Sequence, residues 1–397
     1  MRPVIAPVLF ALFTLILIGC RPQAEPPGII TIEPLPVPPP PFVVDPPPPV
    51  EPVLPDLPAV IHRNYLLEGG LFELPVIGAT AFAAVRLNLR ESASITSELL
   101  FTMDAGQPFV ILEENGEWWR VEFPLSDGWP VSGWVMKRFT MINLPDIIPS
   151  LVFNNTNTFY SLFRSSGFDV PGITGMALYH GWDFNGRFER YEFIMPVLYA
   201  TAHKVMAAQQ AALADGRTLV IYEAFRPHDA HEIVFANFLQ LFNTNATVRE
   251  NIQRDGFSLI RFLAPSPYTH QRGTAVDVTL ARILNHDIRI AGNFSYIHVT
   301  EYIEYQMQSP MHELSLASAI FVEPVVSHDL DAWRAGVFRD TVTEGTRLLI
   351  DYMDRAGFTP LSSEWWHFND IPNTDDAVWM GSVGRFNIER TYSRPPW

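Results

Sequence analysis

Cysteine occurs once in 397 residues, as Cys20. That excludes an intramolecular disulfide, a cysteine-rich metal site and a Cys-x-x-Cys redox pair, so any metal would have to be held by His, Asp and Glu. Basic charge is scarce too: 27 Lys and Arg against 43 Asp and Glu give a formal net charge of −16. A protein that grips phosphate needs a basic face, and the cations here are outnumbered and scattered, which argues against nucleic acid as a partner. There is no glycine-rich phosphate loop, no internal repeat and no acidic run clustered enough to form a tail. The long apolar run from Val4 to Ile18 is too short and wrongly flanked for a spanning helix.

The length exceeds one ordinary core and implies two or three folding units. With 48% hydrophobic and 13% aromatic residues the bulk is globular, while the 35 prolines gather near the start. Residues 1–20, "MRPVIAPVLFALFTLILIGC", have one early arginine, an apolar core and Gly19, the pattern of a secretory leader. The ending "LIGC" resembles the bacterial lipobox. That resemblance implies a lipidated Cys20 and an extracytoplasmic lipoprotein, anchored to the membrane in the periplasm or at the cell surface, since two or more acyl chains hold a protein stably on a bilayer. Residues 21–75 are expected to form a proline-rich linker. Between Arg21 and Val60 so many residues lack an amide donor that neither sheet nor helix can continue. Such a run is extended polyproline II, about 3 Å per residue and so roughly 120 Å at full reach.

Over residues 80–145 short apolar runs are punctuated by turn residues. Phe109 to Leu112 and Trp119 to Phe123 alternate with period two around "ENGE", the pattern of a hairpin in a small all-β barrel. "LNLR" (Leu87 to Arg90), Gly106, "WWRV" (Trp118 to Val121) and "GWV" (Gly133 to Val135) resemble the bacterial SH3-like domain. That resemblance implies a barrel that can hold the cell wall, with Trp118, Trp119 and Trp134 equally readable as core aromatics.

Residues 150–397 read as mixed α and β. In "PVLYATAHKVMAAQQAALADG" Val197, Ala200, Val205 and Ala208 can share a helix face, with Gly216 as a C-cap, and the strand "TLVIYEAF" follows. "GTRLLIDYMDRAGF" is a second amphipathic helix, with Leu348, Leu349, Tyr352 and Met353 inward and a stop near Gly357. Two segments carry polar residues that a core would not choose. "YTHQRGTAVDVTLA" holds His270 and an acid, Asp277, inside an apolar strand; "SSEWWHF" holds Glu364 and His367 around two tryptophans. His270, Asp277 and His367 supply two imidazoles and a carboxylate, which with one open position suits a catalytic zinc site. Glu364 is then placed to act as general base on a metal-activated water. In "IYEAFRPHDA" the proline keeps Arg226 extended at a strand end, where a guanidinium can stabilise an oxyanion. Each element also has a plainer reading, because H-x(6)-D and E-x-x-H recur by chance and Arg226 could form an ordinary salt bridge.

Taken together, "IYEAFRP", "HQRGTAVDVTL" and "AGFTPLSSEWWHF", with "DFNGR" near Asp183, resemble the signatures of the zinc D-alanyl-D-alanine dipeptidases of the vancomycin-resistance type, kin to zinc D,D-carboxypeptidases. The resemblance spans roughly Gly175 to Phe368. It implies one zinc ion held by His270, Asp277 and His367, with Glu364 as general base and Arg226 stabilising the transition state. It also implies D-Ala-D-Ala or peptidoglycan stem peptides as substrates. One departure stands out: where that family usually reads M-G-T-P-F-D, its acid receiving the substrate amine, this chain has "MQSPMH", with His312 at the acid position. The expected architecture is multidomain, a small all-β SH3-like barrel followed by an α+β zinc peptidase domain. Alternatives are a D,D-carboxypeptidase or endopeptidase on stem peptides, and, from another class, a catalytically inactive wall-binding lipoprotein. His203, His228, His286, His298 and His328 lack a partner at ligand spacing and read as structural or exposed.

Overall fold

The alternation of Leu87 and Leu89 inward with Asn88 outward is what a strand packed on one face requires. The computed structural model, which describes residues 62–124, 130–265 and 269–397, places these residues in an eight-stranded antiparallel sheet. Strands Pro108–Asn115 and Trp118–Pro124 form its central hairpin, turning at Gly116, whose φ of 54° suits an Asn-Gly turn. This all-β region is followed by a region of strands and helices, the α+β architecture expected.

The last strand of that sheet comes from beyond the barrel. Pro196–Leu198 pairs with Thr140–Asn143, setting Val197 opposite Ile142. Val197 is therefore a strand residue, and the helix Tyr199–Ala214 begins directly after it. Tyr199 meets the fully buried Trp119 edge to face at 4.6 Å between ring centroids, so the all-β region and the α+β region that follows share core as well as sheet. The described residues form one compact unit.

The leader, Cys20 and the linker as far as residue 61 lie outside the described residues. From 62 to 75 the chain departs from an extended spacer, because this stretch has apolar side chains to bury: Phe72 and Leu74 are enclosed. Between them the buried Glu73 accepts hydrogen bonds from the Ser150 backbone N–H (2.9 Å), the Ser150 hydroxyl and Gln210 Nε2 (2.8 Å).

The second sheet has six strands. Its centre is the long strand Ala275–Ala291, flanked by Arg217–Glu223 on one side and Glu364–Asn369 on the other, with Phe294–Glu304 pairing along its far half. Thr359–Leu361 and Val152–Phe153 lie at the two edges. The helix Tyr199–Ala214 ends before Gly216 (φ 70°) and Glu344–Arg355 ends before Gly357 (φ 88°), a left-handed exit that glycine tolerates. In the second helix Leu349, Ile350, Tyr352 and Met353 face the core, and Leu348 is only half-buried.

Candidate metal centre and active site

Sheet register assembles most of the site. Asp277 is the direct partner of His367 on one neighbouring strand and of Glu223 on the other. Directly opposed residues share a face with Cβ atoms about 5 Å apart, so three polar side chains form a row across the sheet. Val276 and Val278 take the opposite face and are buried, as alternation demands.

His270 arrives from a separate turn, His270–Arg272, closed by Gly273 with φ 69°. A Cβ at Gly273 would lie 2.7 Å from Met141 Sδ and 2.8 Å from the Leu198 backbone nitrogen, so a side chain there is excluded. The Gly273 carbonyl accepts from Leu198 N–H at 2.7 Å, which seats the turn on the strand that joins the two regions.

The three predicted ligands converge. His270 Nε2 lies 3.0 Å from His367 Nδ1 and 3.1 Å from Asp277 Oδ1, and His367 Nδ1 lies 2.9 Å from the same oxygen. Their outer partners fix what those atoms carry. His270 Nδ1 donates to the Ala224 carbonyl at 2.7 Å, and His367 Nε2 donates to Asn369 Oδ1 at 2.9 Å. An imidazole that is neutral then presents a lone pair inward, and burial holds His367 below its ordinary pKa. Three acceptors pointing at one another repel unless a cation lies between them. A tetrahedral zinc with donors about 2.0–2.1 Å away would space them about 3.3 Å apart, close to the separations seen. The donor set and the spacing fit a divalent ion, and a backbone carbonyl such as that of Ala224 is a usual orienting partner of a metal-bound histidine, a place the Asn369 amide oxygen takes behind His367.

Beside the three donors lies a cavity of about 280 Å³, lined by Glu364, Arg226, His231, Trp366 and apolar side chains including Phe163 and Phe262. A three-residue spacing on a regular strand would send Glu364 and His367 to opposite faces, yet both line this cavity. The cause is a bulge: the pairing steps from Pro360 opposite Phe368 to Leu361 opposite Glu364. Burial, and then the nearby Asp277 charge, push the Glu364 carboxyl well above its usual range, against the opposing pull of Arg226. The two tryptophans between these residues are buried, and Trp365 donates to Ser309 Oγ at 3.0 Å.

Arg226 is no surface ion pair. Its side chain is 4% exposed and binds Glu223 through Nε at 2.7 Å and again through an Nη. Glu223 also accepts from Asn157 Nδ2 at 2.8 Å and Tyr179 Oη at 2.6 Å. Burial alone would raise this carboxyl; the Arg226 guanidinium and His270 bring it below its ordinary value, so the pair stays ionised.

Several participants escape sequence reasoning. Glu223, Asn369 and the Ala224 carbonyl sit in or beside the recognised stretches, but their roles depend on pairings across the sheet. His231 lines the cavity, donating from Nε2 to the Ala264 carbonyl at 2.7 Å, and burial with Arg226 nearby brings its pKa down to about 4. Its only local signal is a place one helical turn past Arg226-Pro227. His328 is exposed, in keeping with its reading as structural or exposed, and lines the same cavity. His228 joins Asp229 and Glu232 in a mostly exposed group at the start of the helix His228–Thr244. His312 does not line the cavity; it is fully buried, with Nε2 3.3 Å from Asp277 Oδ2.

Comparison with known proteins matches the two regions separately. Residues 183–379 match the D-ala-D-ala dipeptidase family model, and residues 85–139 match the bacterial SH3 domain. A D-alanyl-D-alanine dipeptidase from Enterococcus faecium is 24% identical over 204 residues, covering 50% of this chain and 86% of that protein. The chain thus carries a peptidase domain of the D-ala-D-ala dipeptidase family behind a bacterial SH3 domain.

Proposed function

We propose that the protein is a zinc-dependent hydrolase of the D-Ala-D-Ala dipeptide, or of a related D-amino-acid peptide bond, in cell-wall metabolism. The observation that carries this reading is the convergence of three lone pairs, from His270, His367 and Asp277, on one point at the wall of a cavity that also holds a buried carboxylate. These three side chains would hold one zinc ion, which when bound supplies the Lewis acidity that activates a water and polarises the scissile carbonyl. Glu364 takes the proton from the attacking water and passes it to the departing amine as the C–N bond breaks. Arg226, kept cationic by Glu223, faces the negative charge that develops on the carbonyl oxygen. Phe163, Phe262 and Trp366 exclude water around them.

At the level of the cell, Cys20 would carry the lipid anchor, residues 21–61 would act as a spacer, and the SH3-like barrel would hold the wall. The enzyme then works outside the cytoplasm on membrane-proximal peptidoglycan.

One observation favours a second reading, a D,D-carboxypeptidase or endopeptidase on stem peptides. Among the described residues the carboxylates lining the cavity are Asp277 and Glu364. Both are committed to the reaction, and His312 stands off the cavity, so no spare acid meets a free substrate amine. The charge-assisted bond such an acid would supply is worth about 1.5–3 kcal/mol.

The test of the general-base role is Glu364→Gln. It should keep zinc and substrate affinity while kcat falls about 10²–10⁴-fold. Turnover near that of the unmodified protein would remove Glu364 from the mechanism.

A further inference from the structure

His312 occupies strained backbone, with φ 60°, a left-handed conformation that a side chain such as histidine enters only when its surroundings impose it. The imposing contacts are visible. The His312 carbonyl accepts from Arg164 N–H at 3.1 Å, and the Arg164 carbonyl accepts from Leu314 N–H at 2.7 Å, which pins the residue from both sides. The ring is stacked on Phe163, 4.4 Å between centroids and 17° from parallel, and meets Trp366 edge on at 5.9 Å. Arg226 lies over the same Phe163 ring at 5.0 Å.

From that position His312 Nε2 and an Arg226 Nη both approach Asp277 Oδ2, at 3.3 and 3.4 Å, while Oδ1 faces the two imidazoles. The other ring nitrogen, Nδ1, is buried without a hydrogen-bond partner. An N–H left unpaired in that position is the more costly arrangement, so the proton sits on Nε2, where it has an acceptor. A carboxylate at position 312 would set acceptor against acceptor at Oδ2.

We propose that His312 is a positioning residue of the metal centre: it donates to Asp277 Oδ2 and holds the carboxylate rotated so that Oδ1 alone points at the ion. This rests on the zinc reading of His270, Asp277 and His367. The substitution that looks like the loss of a substrate contact is, in this chain, a gain of metal affinity through the rear of a ligand. Orienting partners of this kind change metal affinity by about 10–100-fold.

The test is zinc affinity, measured by competition with a chromophoric chelator, together with the visible spectrum of the cobalt-substituted protein. His312→Phe keeps the ring stack and removes the donor; it should bind zinc about tenfold or more weakly and shift the cobalt bands, while the zinc-free variant and the zinc-free unmodified protein keep similar thermal midpoints. His312→Gln retains an N–H donor and should stay within about threefold. A folded Phe variant with affinity within twofold of the unmodified protein would overturn the proposal. So would a folded Gln variant that loses tenfold, which keeps the question answerable if the Phe variant fails to fold. An unmodified protein that takes up no zinc would instead overturn the zinc reading on which the proposal stands.

Discussion

Glu73 links the segment that leads from the linker to the catalytic region, and its burial makes a quantitative prediction. Loss of solvent pushes its pKa from 4.5 up to about 7, despite the hydrogen bonds from Ser150 and Gln210 that favour the charged form. The folded state therefore binds this proton more tightly than the unfolded chain does. Its contribution is fully present below about pH 4.5 and is lost as the pH rises through about 7. A difference of about 2.5 pK units, at about 1.36 kcal/mol each, amounts to roughly 3 kcal/mol across that window. Glu73→Gln replaces the carboxyl by a neutral amide of the same shape and removes the pH dependence. Allowing about 1 kcal/mol for a less well paired amide, the variant should match the parent near pH 5 and exceed it by about 2–3 kcal/mol near pH 8. Urea unfolding followed by tryptophan fluorescence at both pH values gives the double difference, in which every other titrating group cancels. A gap between variant and parent that stays constant within about 0.5 kcal/mol would refute the reasoning and show that Glu73 remains accessible to water.

Two further outcomes follow from the shared core and from the cavity's charge. Trp119→Ala removes the buried ring that meets Tyr199 and should cost about 3–5 kcal/mol, with barrel and peptidase region still unfolding in one transition; a loss below about 1 kcal/mol would contradict the shared packing. Comparing kcat/KM for free D-Ala-D-Ala with that for a stem pentapeptide decides between the two enzyme readings. A preference for the pentapeptide of tenfold or more is expected if the missing amine-binding acid governs specificity, and a preference for the dipeptide would reject that argument.

Much of the site was legible because its chemistry is carried by short stretches. An acid between two valines in an apolar strand, and an acid and imidazole around two tryptophans, are residues that core packing alone would not place there. The hairpin around Asn115-Gly116 and the helix ends at Gly216 and Gly357 were legible for similarly local reasons, since turn and cap geometry is set within a few residues. What sequence reasoning missed was set by pairing across long separations. The register that places Glu223 and His367 on either side of Asp277 is fixed by three strands far apart in the chain, and no local pattern encodes it. The bulge that turns Glu364 toward His367 arises from an edge-strand mismatch, and strand Pro196–Leu198 reads locally as the start of a helix because its partner lies in the barrel. His312 reads as a lost substrate contact until the backbone shows it turned toward Asp277.

Everything functional depends on His270, Asp277 and His367 sharing one divalent ion. The direct measurement is zinc content by elemental analysis after exhaustive dialysis, for the unmodified protein and for His367→Ala. About one zinc per chain is expected in the first and a large loss in the second, with thermal stability rising on zinc addition only in the protein that binds it. Equal zinc content in both proteins, or none in the unmodified one, would contradict it.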